Sequence, residues 1–207
     1  MFPLNVPNVL TVLRILLVPV LVVALTTNTP NGDTIAAIVF ALAALTDGLD
    51  GYIARSRKAI TTFGKVMDPI ADKMLITAAL IALVSLDRLD AWVAMVIIAR
   101  EFAVSSLRVA AAQQGAIIPA SILGKIKTVT QVVAVMALIA ANDPHATWVN
   151  VLVGLMVLTT VASGVDYFLN VRREIEEARE NLRAQRSART GVEASRSSSS
   201  SREVPRT

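Results

Sequence analysis

The chain has no cysteine and only one histidine among its 207 residues. The first absence excludes disulfides, thiolate metal sites and a cysteine nucleophile. The second excludes a histidine-rich metal cluster. His145 itself falls in a short predicted loop, NDPHAT, on the side away from the acidic residues described below, so a histidine general base is excluded as well. No small-residue cleavage site follows the first apolar run, and Arg14 interrupts that run, so a removed signal peptide is not expected. The chain has no internal repeat. Its net charge of +4 is modest, and the basic residues cluster at the ends of apolar runs, so nucleic acid is not an expected partner.

Apolar residues are what the chain has in excess. They make up 54% of it, and the mean hydropathy is +0.60. They come in runs of about 20, the length that crosses a bilayer core as a helix. The fold expected is all-α: a polytopic membrane protein with a six-transmembrane-helix bundle. The spans are predicted at about Asn8–Thr27, Thr34–Arg55, Asp68–Leu86, Ala91–Ala112, Ile126–Ala141 and Thr147–Val171. TNTPNGD, DRLD and NDPHAT provide turns between them.

Charge orients the bundle. Arg55, Arg57, Lys58 and Lys65 follow the second span, Lys125 and Lys127 follow the fourth, and Arg172 and Arg173 follow the sixth. The opposite loops carry Asp33, Asp87, Arg88, Asp90 and Asp143. Positive loops remain in the cytoplasm, which puts both termini there. Trp92 and Trp148 fall near the opposite interface and read as belt residues. Residues 1–171 form the expected membrane domain. Residues 172–186 read as a charged helical extension with Arg172–Glu176 and Arg173–Glu177 at i, i+4 spacing. Residues 187–207 are Ser/Arg-rich without an apolar pattern, and a disordered tail is expected there.

Four acids stand out against this background. Thr46–Lys73 reads TDGLDGYIARSRKAITTFGKVMDPIADK, a spacing of D-x2-D-G-x2-A-R-x8-G-x3-D-x3-D. Asp47 and Asp50 share one helix face, and Asp68 and Asp72 share another. Carboxylates at the ends of two spans cannot all stay ionised without a cation, and oxygen-rich sites select hard cations such as Mg²⁺ or Mn²⁺. Four carboxylates suffice for two metals, an arrangement that clamps the attacking and leaving oxygens of a phosphoryl displacement. Gly51, Gly64 and Ala54 leave room for a ligand beside the backbone, and Arg55 suits a phosphate or a carboxylate. The plainer reading takes the acids as helix caps. It suits Asp68, followed by Pro69, but not Asp47, Asp50 or Asp72.

This spacing resembles the signature of the CDP-alcohol phosphatidyltransferase family at every fixed position. The resemblance implies a homodimeric six-helix membrane enzyme that transfers a phosphatidyl or related group from a CDP-linked donor to an alcohol and releases CMP. It implies two divalent cations held by Asp47, Asp50, Asp68 and Asp72, with Asp72 also taking the proton of the attacking hydroxyl. It places Gly51, Ala54 and Gly64 along the CDP pocket, with Asp50 and Arg55 close to the nucleotide. Further segments resemble the phosphatidylglycerophosphate-forming branch of the family: NVPNVLTVLRILLVP, DPIADK, AREF, LR, GKIKT and SGVDYF, between Asn5 and Phe168. That branch implies CDP-diacylglycerol as donor and glycerol-3-phosphate as acceptor, within the lipid of a bacterial-type cell membrane, with the active site on the cytoplasmic side.

The remaining cations fit a phosphorylated acceptor. Arg100 and Arg108 lie about two turns apart on the fourth span, and Lys125 and Lys127 begin the fifth. Arginine's planar fork suits phosphate. The plainer reading pairs Arg100 with Glu101 and leaves the lysines to topology alone. Asn8, Thr11 and Arg14 recur at three-residue spacing and could reach the nucleotide or the donor phosphates, although Arg14 could instead snorkel to the interface. Asp166 is a possible partner for one of these cations. Two rival functions remain: the same chemistry on inositol phosphate or another alcohol, and a cation or proton transporter. The clustering of all four acids at one face argues against a transport path.

Overall fold

Each long apolar segment between turn signals is helical in the computed structural model of the chain. The structure describes residues 6–27, 29–57, 62–113 and 121–200. Within these, the side chains of 6–8, 10, 47–57, 62–69, 72, 175 and 177–200 fall outside the description. The elements are α1 (Val6–Thr26), α2 (Gly32–Arg57), α3 (Thr62–Ser85), α4 (Ala91–Gln113), α5 (Ile122–Ala140) and α6 (Thr147–Ser200). No strand occurs among the described residues.

The helices pack because each buries one stripe. α1 lies against both α2 and α3, α5 lies against α6, and α4 packs on α6 and α3. α5 also touches α2, which joins the two halves. The shared core takes Leu21 from α1, Phe40 from α2, Leu80 and Leu83 from α3, Ile97 from α4, Leu138 from α5 and Met156 from α6. The outer faces are apolar too, with Leu16, Leu45, Met95, Val129 and Leu158 all exposed. Helices that are apolar both inside and outside suit a lipid environment. Two of them, Ile122–Ala140 and the Thr147–Glu174 part of α6, are long and apolar enough to cross a membrane, and the apolar stretches Thr11–Thr26, Gly32–Thr46 and Lys73–Ser85 are shorter. Trp92 and Trp148 are exposed, as belt residues are.

Two turns set how the helices enter and leave. Gly32 opens α2 against the end of α1, so close that a Cβ there would lie 2.7 Å from the Ala24 carbonyl oxygen. After α3 the chain reverses through Asp87, whose φ of 55° is left-handed, and the Arg88 N–H donates to the Leu83 carbonyl at 3.0 Å. This bond satisfies a carbonyl that the helix end leaves open.

Three boundaries differ from the sequence reading. α3 starts at Thr62 rather than near Asp68, so Asp68 and Pro69 lie inside the helix and Asp68 is not its N-cap. Phe63, Val66, Met67 and Ile70 supply the helical apolar spacing that carries α3 back past the proline. α5 starts at Ile122, where Ser121 is the N-cap and its Oγ accepts from the Gly124 N–H at 3.1 Å. α6 is helical to Ser200, beyond the point near Arg186 where the sequence predicts an unstructured tail. No proline interrupts it between Pro144 and Pro205, so no residue there lacks the N–H that helical hydrogen bonding needs.

Candidate active site

By position, 47 and 50 on α2 and 68 and 72 on α3 continue helix rows whose described members are buried. On α2 the buried residues Ala36, Phe40 and Ala43 step by four and three, and continuing that register reaches positions 47 and 50. On α3 the row through the buried Ala79 and Leu75 runs back through positions 72 and 68. Each pair therefore shares one row of its helix, and both helices pack on α1. The side chains of Asp47, Asp50, Asp68 and Asp72 lie outside the described residues, as do those of Asn8, Ala54 and Arg55 and the surroundings of Gly51 and Gly64. Among the described residues no group of three or more Asp, Glu, His or Cys gathers as a metal site. The chemistry of four carboxylates, oxygen donors all, fits a hard cation such as Mg²⁺ or Mn²⁺.

α1 brings polar groups to the same half of the molecule. Thr11 and Arg14, three residues apart, are 0% and 1% exposed, and both are engaged by other groups. Arg14 is thus enclosed by protein rather than lying along the outer surface toward the interface, and the snorkelling alternative does not hold. A guanidinium so enclosed requires compensation by anionic or polar neighbours.

The acceptor-side cations divide into two sets. Arg100 and Lys127 come together across α4 and α5, because both bind Oε1 of Glu101, Arg100 through Nη1 at 3.3 Å and Lys127 through Nζ. Arg100 Nη2 also donates to Ser163 Oγ of α6 at 3.0 Å. The pairing of Arg100 with Glu101, the plainer alternative in the sequence, is therefore present, with Lys127 as a third member. Arg108 and Lys125 stand apart from this group and are exposed. The Arg108 guanidinium lies over the Tyr167 ring, 5.7 Å from its centroid. Asp166 pairs with none of these cations among the described residues, and its Oδ1 accepts from Asn170 Nδ2 at 3.1 Å.

Sequence reasoning passed over several polar residues in this seam. Gln131 and Thr160 are buried on α5 and α6, and Gln131 Nε2, Thr160 Oγ1 and the Tyr167 hydroxyl have no hydrogen-bond partner among the described residues. Gln131 follows Lys127 by four residues, and Thr160 precedes Ser163 by three. That spacing was the available signal, since both pairs repeat a helix face.

An all-helical bundle whose outer faces are as apolar as its core defines a membrane-protein class of fold. The sequence profile of the CDP-alcohol phosphatidyltransferase family matches residues 4–162. The chain belongs to that family, a family of membrane proteins. It is 40% identical over 180 residues to the CDP-diacylglycerol–glycerol-3-phosphate 3-phosphatidyltransferase of Bacillus subtilis (strain 168), covering 79% of this chain and 93% of that protein. It is 39% identical over 169 residues to the protein of the same name in Rickettsia felis, covering 79% and 93%. It is also 40% identical over 175 residues to a probable phosphatidylglycerophosphate synthase of Mycobacterium tuberculosis (strain H37Rv), covering 83% of each chain.

Proposed function

We propose that the protein transfers the phosphatidyl group of CDP-diacylglycerol to glycerol-3-phosphate, giving phosphatidylglycerophosphate and CMP. The observation that carries this reading is the aspartate motif from Asp47 to Asp72, spread over α2 and α3 in register with their buried rows. The names of the relatives, at about two fifths identity across most of their length, support the choice of donor and acceptor.

The six helices serve as six membrane spans, with both termini and the aspartates on the cytoplasmic side. The distribution of Lys and Arg and the apolar outer faces support this arrangement. Residues 1–171 form the catalytic domain, the chain beyond them leaves the membrane, and two copies associate as a homodimer.

Asp47, Asp50, Asp68 and Asp72 would hold two divalent cations, Mg²⁺ or Mn²⁺, which when bound polarise the diphosphate and neutralise the charge of departing CMP. The other groups of the chain bind, orient and move the proton. Asn8, Thr11, Arg14 and Arg55 hold the phosphates and nucleotide of the donor, and Gly51, Ala54 and Gly64 leave room for it. Arg108 and Lys125 meet the phosphate of glycerol-3-phosphate at the cytoplasmic mouth, and Arg100 and Lys127 bind it deeper. A glycerol hydroxyl oxygen forms a bond to the β-phosphorus as the bond from that phosphorus to CMP breaks. The hydroxyl proton goes to the Asp72 carboxylate, a general-base step. With no cysteine and a single distant histidine, direct displacement needs no covalent intermediate.

The test is CMP release by the purified protein from CDP-diacylglycerol with Mg²⁺ or Mn²⁺ and a panel of acceptors. Glycerol-3-phosphate should be turned over well above glycerol, serine, inositol and inositol phosphate. Preference for inositol phosphate would keep the chemistry and change the product. No CMP release with any alcohol would end the enzyme reading.

A further inference from the structure

Glu101 has no part in the aspartate motif, yet it joins two of the cations on which the acceptor reading depends. Its Oε1 takes both the Lys127 ammonium from α5 and Nη1 of Arg100 from α4. The three side chains are largely enclosed, at 6% exposure for Lys127, 14% for Arg100 and 16% for Glu101. α6 fixes Arg100 from another side. Ser163 accepts from its Nη2 at 3.0 Å, and the arginine stem runs beside Gly164, where an added Cβ would make an ordinary contact with Arg100 Cγ at 3.4 Å.

The charges of this trio sum to +1. Two enclosed cations at one point repel each other, and each has lost much of its hydration. The shared carboxylate is what allows them to stay charged and close together. Lysine is otherwise a flexible point charge on a four-carbon stem, and a fixed anion is the economical way to aim it.

We propose that Glu101 is a positioning residue for the phosphorylated acceptor: it holds Lys127 and Arg100 at a common point, where they meet the phosphate. The inference rests on the acceptor reading given above. Glu101 acts through Lys127 and Arg100 and touches no reacting atom.

The experiment compares the full-length wild type, Glu101→Gln, Lys127→Met and the double variant in mixed micelles of CDP-diacylglycerol with Mn²⁺. For Glu101→Gln the expected result is a rise of about tenfold in the glycerol-3-phosphate KM, the loss of roughly one charge-assisted contact, with the CDP-diacylglycerol KM unchanged. The double variant should exceed Lys127→Met by less than about threefold, because residues acting as a unit are not additive. If Glu101→Gln does not fold, the comparison of the double variant with Lys127→Met carries the test, since the double variant removes one charge of each sign. The inference is overturned if donor and acceptor constants rise together in Glu101→Gln, or if the two substitutions multiply. A wild type that selects glycerol-3-phosphate while the substitutions multiply removes this inference alone. A wild type that uses free glycerol equally well removes the acceptor reading, and this inference falls with it.

Discussion

Arg88 donates to the Asp33 carboxylate at 2.7 Å and, through its other terminal nitrogen, to the Ile139 carbonyl at 3.2 Å. One side chain in the α3–α4 turn thus ties the start of α2 to the end of α5. Both charges also suit their helix ends, an acid in the first turn of α2 and a cation at the last carbonyls of α5. The only cation among the loop charges on this side of the bundle therefore has a structural reason to be there.

Arg88→Ala should lower stability more than Asp33→Asn. Asp33 is nearly half exposed, and an ion pair with such a partner contributes at most about 1 kcal/mol. Removing Arg88 also strips the Ile139 carbonyl of its side-chain donor, so a loss of about 1–3 kcal/mol is expected. Thermal unfolding in detergent reads the difference, and equal losses would show that the bond to Ile139 contributes nothing.

Gly32→Ala and Gly154→Ala should move stability in opposite directions. A Cβ on Gly32 meets the Ala24 carbonyl oxygen at 2.7 Å, and backbone must shift to admit it. A Cβ on Gly154, within α6, meets nothing within 4 Å. There the gain in helix propensity, up to about 1 kcal/mol, should appear as a higher unfolding temperature.

How much of this was legible in the sequence depended on range. Every helix was visible as an apolar run, and the turn at DRLD lies where hydropathy and charge put it. The start of α3 was hidden because Asp68-Pro69 imitates a helix opening, while the apolar spacing of Phe63, Val66 and Met67 that carries the helix further back is short and broken by Gly64 and Lys65. The start of α5 was hidden because Gly124 and Lys125 look like loop residues until Ser121 is recognised as a cap. The motif of four aspartates was plain because its pairs are local, at spacings of three and four. Glu101 was not, because its meaning depends on Lys127, which α5 brings to it, and on Ser163 of α6, which holds its neighbour Arg100. Nothing local in A-R-E-F shows that its glutamate bridges cations from α4 and α5.

Removal of metal or of a carboxylate should stop turnover. Asp47→Ala and Asp68→Ala each take away one anionic ligand proposed for the cations and should abolish CMP release, and EDTA should do the same to the wild type, with recovery on adding Mn²⁺. Full turnover in EDTA would contradict the two-cation reading.

Asp72→Asn keeps the shape of the side chain and removes its capacity to take a proton. Turnover should fall by roughly 10²–10⁴-fold, the range for a lost general base. The drop should be larger if cation binding fails as well, which a Mn²⁺ titration of the variant would reveal. Near-normal turnover with metal bound would assign the proton to another group.

At the acceptor end, Arg108→Ala should raise the glycerol-3-phosphate KM by roughly 10- to 100-fold, the loss of one charge-assisted contact. The KM for CDP-diacylglycerol should change far less. Tyr167→Phe is the control, because it keeps the ring beneath Arg108 and removes a hydroxyl with no hydrogen-bond partner among the described residues. It should leave both constants unchanged. A joint rise of both constants in Arg108→Ala would make that residue a part of the fold instead.

The most direct test of the central claim follows the product itself. Purified protein is given CDP-diacylglycerol, radiolabelled glycerol-3-phosphate and Mn²⁺, and label entering the lipid phase is measured beside CMP released into water. One labelled phosphatidylglycerophosphate should form for each CMP, and both should vanish in EDTA and in Asp47→Ala. CMP released without label in lipid, or label transferred in the absence of divalent cation, would contradict the account.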